Sequence, residues 1–135
     1  MRRLLEDIAI YLNTIGIGTP GQTVFIGNMP NTPVNALGIY SSGGEVSVAG
    51  SPVYRPGFQL LLRRSSGDFA NASNLADYLF QVLDDKWNVL DRVRGRIIAT
   101  SAPGVFFRDD SGNLVFSLNF QVITVITTIS TPAAL

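Results

Sequence analysis

Cysteine and histidine are both absent from the 135 residues, and Lys86 is the only lysine. Without cysteine there is no disulfide framework, no thiolate metal site and no cysteine nucleophile. Without histidine, Ser-His-Asp catalysis, the usual zinc sites and the commonest general base near neutral pH all fall away. A single lysine leaves little scope for Schiff-base or phosphate chemistry. Acid–base work on carboxylates is the main enzymatic route left. An excess of one charge is lacking too: ten Lys and Arg balance ten Asp and Glu, so there is no polycationic footprint for nucleic acid or an anionic membrane.

Long apolar runs are also missing. Arg2 and Arg3 precede apolar residues, as in a secretion signal, but Glu6 and Asp7 interrupt the run and no small-residue cleavage site follows. The stretch from Val122 to Ile126 is far too short to span a bilayer. With 46% apolar and 15% charged residues, the composition excludes wholesale disorder. The expectation is one soluble intracellular domain spanning 1–135.

Leu4, Leu5, Ile8, Leu12 and Ile15 recur at helical spacing, with Glu6 and Asp7 near the positive end of the dipole and Gly16 as the stop. Gly16-Ile17-Gly18-Thr19-Pro20-Gly21 then matches G-x-G-x-x-G. A dinucleotide phosphate loop leaves a strand and opens a helix; here a helix comes first and the β-type run Thr23–Ile26 follows. Pro20 also lacks an N–H that phosphates would need. The motif reads as a helix cap and a turn.

A loop with two prolines, 27–33, leads to a second short strand, Asn35 to Tyr40. Residues 41–57, rich in Gly, Ser and Pro, read as an extended loop: either a surface excursion or an arm that orders on a neighbouring subunit. Phe58 to Arg64 is nearly continuous apolar sequence and predicts a central strand covered on both faces. Asp68 is a candidate N-cap. From Phe69 the period turns helical: Ala72, Leu75, Ala76, Leu79, Val82 and Leu83 form one face, and the helix runs to about Asp85 or Lys86. Asp84 and Asp85 could suggest acid–base chemistry, but adjacent helical residues diverge rather than converge, so they read as a solvated helix end.

The last third is β. Arg92, Arg94 and Arg96 alternate along a predicted strand; they could meet phosphates, but without interleaved aromatics they read as a surface rim or as partners for carboxylates on another chain. Asp109-Asp110-Ser111-Gly112-Asn113 is hairpin chemistry and lacks the remaining ligands of a calcium loop. Leu114, Phe116, Leu118, Phe120 and Val122 then alternate with polar residues, as in a half-buried antiparallel strand. Past Val122 the alternation fails, because Ile123, Val125 and Ile129 fall on the formerly polar face. A lone subunit would there show apolar surface and a long strand edge, which predicts self-assembly unless another internal element covers it.

Several runs resemble the small "minor capsid" proteins of tailed bacteriophages, which group with siphophage tail terminators. They are Leu4 to Leu12, Gly16 to Thr19, Val24 to Pro30, Asn35 to Leu37, Arg55 to Gln59, and the Asp68-Phe69-Ala70 helix start. The resemblance covers about residues 4–85. It implies an α+β fold, a twisted antiparallel sheet with two helices packed on one face and an extended arm at 41–57. It implies no enzyme: no catalytic residue, no cofactor and no metal. The implied role is a structural virion protein, assembled in the bacterial host cytoplasm and placed at the tail–neck junction. Copies would form a homohexameric ring that caps the finished tail tube and meets head-completion or connector proteins of the neck. DNA would pass through without sequence-specific binding, and no membrane would be involved. Ring and tail contacts are then expected from 41–57 and 114–129, with Tyr54, Arg55, Phe120, Val122, Ile123, Val125 and Ile129 as contact residues. The nearest competing role is another neck component, a head-completion protein or connector adaptor. A remoter one is an enzyme using Asp68, or Asp109 with Asp110.

Overall fold

The computed structural model describes residues 2–45, 49–104, 106–125 and 133–135. Helix α1 spans Arg2–Thr14, and α2 spans Phe69–Leu83. The strands are β1 (Val24–Ile26), β2 (Ala36–Ser41), β3 (Val53–Tyr54), β4 (Gly57–Arg64), β5 (Lys86–Trp87), β6 (Gly95–Ala99), β7 (Phe106–Arg108) and β8 (Leu114–Val125). They form one sheet in the order β1-β2-β4-β8-β6-β5, with β3 and β7 also paired to β8. The architecture is α+β, as expected, but the sheet is mixed: β1 runs parallel to β2, and every other pairing is antiparallel. A parallel neighbour requires the chain to return along the strand, which residues 27–35 do.

The helix that opens the chain ends as glycine dictates. Gly16 has φ 84°; its N–H donates to Asn13 O at 3.1 Å, and Ile17 N–H reaches back to Leu12 O at 2.9 Å. These two bonds are the Schellman pattern. Thr19 O then accepts the N–H groups of Gln22, Thr23 and Val24, so the G-x-G-x-x-G run is a cap followed by a tight turn. Glu6 and Asp7 do not act on the helix dipole as expected, because the first turn carries no acid.

One core holds the subunit together. Leu4, Leu5, Ile8 and Leu12 of α1 and Ala72, Ala76, Leu79 and Leu83 of α2 pack with Leu37, Ile39, Phe58, Leu60, Leu62, Ile97 and the even-numbered residues 114–122 of the sheet. Period-2 alternation turns these side chains to one face. Phe58 and Phe120, paired in register, stack with ring centroids 5.1 Å apart. The Tyr11 hydroxyl donates to Val82 O at 2.9 Å and ties the two helices; burial, with Tyr78 adding, raises its pKa above the ordinary 10.0.

Strand β4 lies between β2 and β8 as predicted. Its second face carries a buried charge: Arg63 is only 8% exposed. Its guanidinium donates to the carbonyls of Val34 and Pro33, both at 2.9 Å, and to that of Pro30. The 27–35 return loop is thereby fastened over the sheet. Asp68 precedes α2 but makes no side-chain cap bond. Its carboxylate instead accepts Arg64 Nε at 2.8 Å and Asn71 Nδ2 at 2.8 Å. These bonds, Arg64 first, hold its pKa below the ordinary value. Helix α2 stops at Leu83, short of Asp85. Asp84 accepts the Ala99 N–H at 2.8 Å, and Asp85 turns back at φ 55° to accept Arg96 Nε at 2.7 Å. The two acids diverge, but both are tied to β6 or its end and neither is simply solvated.

The clearest departure from expectation concerns β8. No long open edge exists along its described length. β4 pairs one edge over 114–121 and β3 continues it at 124–125; β7 pairs the other edge at 114–116 and β6 at 120–124. The sequence reading missed this because Val53 and Tyr54 lay inside a stretch read as loop, and a strand of two residues has no readable period.

Candidate assembly surface

At the Val125 end of β8 three elements enclose a cleft of about 650 Å³. One wall is the paired ends of β3 and β8, with Val53, Tyr54, Ile123, Thr124 and Val125. A second is the loop 87–95, and the third is the start of α1 with Arg3 and Leu4. Trp87 stands on the rim, 64% exposed, and Val125 is 54% exposed. Arg3, Arg92 and Arg94 line the cleft, and among the described residues no carboxylate does.

The loop wall is fixed by one acid. Asp7 is wholly buried; its Oδ2 accepts the backbone N–H of Arg92 at 2.7 Å and of Val93 at 2.8 Å, and its Oδ1 accepts Arg92 Nε at 2.7 Å. Glu6 adds a contact to Arg92 Nη2 at 3.1 Å. These bonds, Asp7 first and Glu6 second, raise the Arg92 pKa further above its already high value. Asn88, at φ 53°, exchanges bonds with Gly95: its N–H reaches Gly95 O at 2.8 Å, and its Oδ1 accepts Gly95 N–H at 2.8 Å. Gly95 itself has φ 149°, and a Cβ there would collide with the Ile123 carbonyl. Arg94 Nη1 donates to Leu90 O at 2.8 Å, and the Thr124 hydroxyl donates to Arg94 O. The Arg96 guanidinium lies 5.5 Å from the Trp87 ring centre, a cation–π arrangement that steadies the rim.

The opposite end of β8 carries a second surface. Phe69, Phe106 and Phe107 are 50%, 40% and 52% exposed. Phe106 packs against Phe69 and Phe116, each at a centroid distance of 5.3 Å. In the turn between β7 and β8, Asp109 Oδ1 accepts Ser111 N–H at 3.0 Å and Asn113 N–H at 2.9 Å. Desolvation pushes the Asp109 pKa up, but the bonds from Asn113 and Ser111, with the nearby Arg63, outweigh it and hold the value low.

The residues expected at contacts separate into groups. Tyr54, Ile123 and Val125 come together in the cleft. Arg55 is exposed beside it, 3.9 Å from Glu45 in a surface pair that contributes little. Phe120 and Val122 are core residues, 2% and 1% exposed, and present no surface to another chain. Their apolar alternation marks the inside of this subunit. Ile129 lies outside the described residues. Of the three arginines read as one strand face, only Arg96 is on a strand; Arg92 and Arg94 precede it, and all three bond within the subunit. Trp87 and Asp7 were not anticipated. Asp7 was detectable: it sits three residues after Leu4 and four before Tyr11, in phase with the buried face of α1.

Among the described residues no helix is long and apolar enough to cross a membrane, and no group of three or more His, Cys, Asp or Glu could hold a metal ion. The family model for the bacteriophage tail terminator protein matches residues 11–126. No curated protein sequence matches the chain. A solved structure superposes with a TM-score of 0.53 at 18% identity, covering 90% of this chain and 92% of its own; at that identity the likeness is one of fold.

Proposed function

The chain belongs to the bacteriophage tail terminator family, and from that premise we propose that it forms a ring, of six copies, that caps the completed tail tube and joins it to the neck. The observation that carries this reading is the family match, which covers α2, the end of α1 and all eight described strands, the cleft-forming ones included. The exposed apolar surfaces at the two ends of β8 support it. A subunit that left Trp87, Val125, Phe106 and Phe107 in water would carry an aggregation liability that assembly removes. Tyr54, Arg55, Ile123 and Val125 are then contact residues between copies or with the tail tube. On this reading the protein works as a structural part of the virion at the tail–neck junction, without catalysis or cofactor. Head-completion or connector proteins sit on its other side, and DNA passes through it without sequence readout.

Native mass spectrometry over a concentration series, with and without purified tail tubes, tests the proposal. A hexamer, or a monomer that becomes hexameric on tubes, is the expected result. A monomer indifferent to tubes would overturn it.

A further inference from the structure

The two exposed ends of β8 differ in chemistry, and they match each other. The cleft end is lined by arginines and, among the described residues, by no carboxylate. Arg92 is already engaged by Asp7 and Glu6, whereas Arg94 makes no ion pair among the described residues. Asp91, just before Arg92, is exposed but does not line the cleft. The hairpin end presents the exposed Phe107 and, in the turn three residues on, the exposed Asp110, which likewise makes no ion pair among the described residues. Arg108 is turned onto its own hairpin, donating to Gly112 O at 3.0 Å, and Asp109 is consumed by its turn.

We propose that the β7–β8 hairpin tip of one copy docks in the arginine-lined cleft of the next, Phe107 against Trp87 and Val125, and Asp110 against Arg94. This rests on the ring reading above and adds the surfaces that make the ring. β8 is twelve residues long, so its two ends lie roughly 36 Å apart at ~3.3 Å per residue. A contact between two different patches at opposite ends of one strand is heterologous. Repeated head to tail, it propagates until a rotation closes it. Charge pairing of this kind fixes the register of the contact and suppresses the reverse pairing of like ends.

The test uses the full chain in sedimentation velocity with tail tubes, comparing wild type with Arg94→Glu, Asp110→Arg and the double variant. Each single reversal is expected to weaken association at least tenfold, and the double variant to recover it to within about threefold. Mixing the two single variants should restore assembly as well, in alternating order, because each contact then pairs either the two original charges or the two reversed ones. Trp87→Ser and Phe107→Ser, both at exposed positions, form a truncation pair should Arg94→Glu disturb its loop: each retains one working end, so their mixture should stop at dimers. If wild type assembles and the single variants assemble equally well, the docking is wrong while the ring stands. Loss in the singles without recovery in the double or on mixing them also overturns it. A wild type that never assembles defeats the ring reading itself.

Discussion

Asp7 and Arg92, 85 residues apart, are joined side chain to side chain at 2.7 Å, and the same carboxylate also accepts Arg92's own backbone N–H. A single buried acid therefore holds one wall of the cleft against the first helix. Asp7→Ala would leave the N–H groups of Arg92 and Val93 without partners in a closed site. A loss of about 2–3 kcal/mol is expected, read as a lower urea midpoint by circular dichroism. Asp7→Asn, which keeps an acceptor oxygen, should lose less.

Arg63 poses a different demand, three carbonyl acceptors and burial. A lysine has no planar fork with which to reach them all. Arg63→Lys should cost about 1–2 kcal/mol in urea unfolding and increase amide exchange in residues 27–35, leaving α1 protected.

Gly95 cannot accept a side chain without moving β8, because its φ is positive and the Ile123 carbonyl occupies the Cβ position. Gly95→Ala should destabilise by about 1–3 kcal/mol. It should also alter the fluorescence of Trp87, the only tryptophan, because the loop that carries it is tied to Gly95 through Asn88.

Asp68 has a folded pKa below its ordinary value, chiefly through Arg64. A depressed carboxylate stabilises the fold above its unfolded pKa and loses that effect as pH falls through the lower folded value. Asp68→Asn should therefore be less stable than wild type at pH 7. The gap should close on acidification below the usual carboxylate range near ~3.9. Urea midpoints measured at both pH extremes check this.

Much of the fold was legible because its main elements are long enough to show a period. Helix α2 has four buried residues at helical spacing, and β8 alternates over most of its length. The cap at Gly16 was readable for a similar reason, since its bonds are local. What could not be read was tertiary. Val53 and Tyr54 become a strand only because the end of β8 is there to pair with them. The alternation through Phe120 and Val122 fits a contact surface as well as a core, since nothing in one strand's pattern says whether its apolar face meets helices of the same subunit or another copy. The cleft brings together residues 3 to 125, and no local spacing encodes such a gathering. Only Asp7, an acid in phase with the buried residues of α1, announced it in one dimension.

The strand that everything else leans on is the last of the described strands to be synthesised. Until β8 leaves the ribosome, the nascent chain carries β4 and β6 with no shared neighbour between them and with their facing edges unsatisfied. Local pieces such as the α2 helix and the β2–β4 pair can form early, but the sheet has to wait for its centre. On the proposed ring reading, assembly with other copies would thereby wait until after translation. Both proposed docking surfaces depend on β8, so a half-made subunit has neither end of the contact to offer.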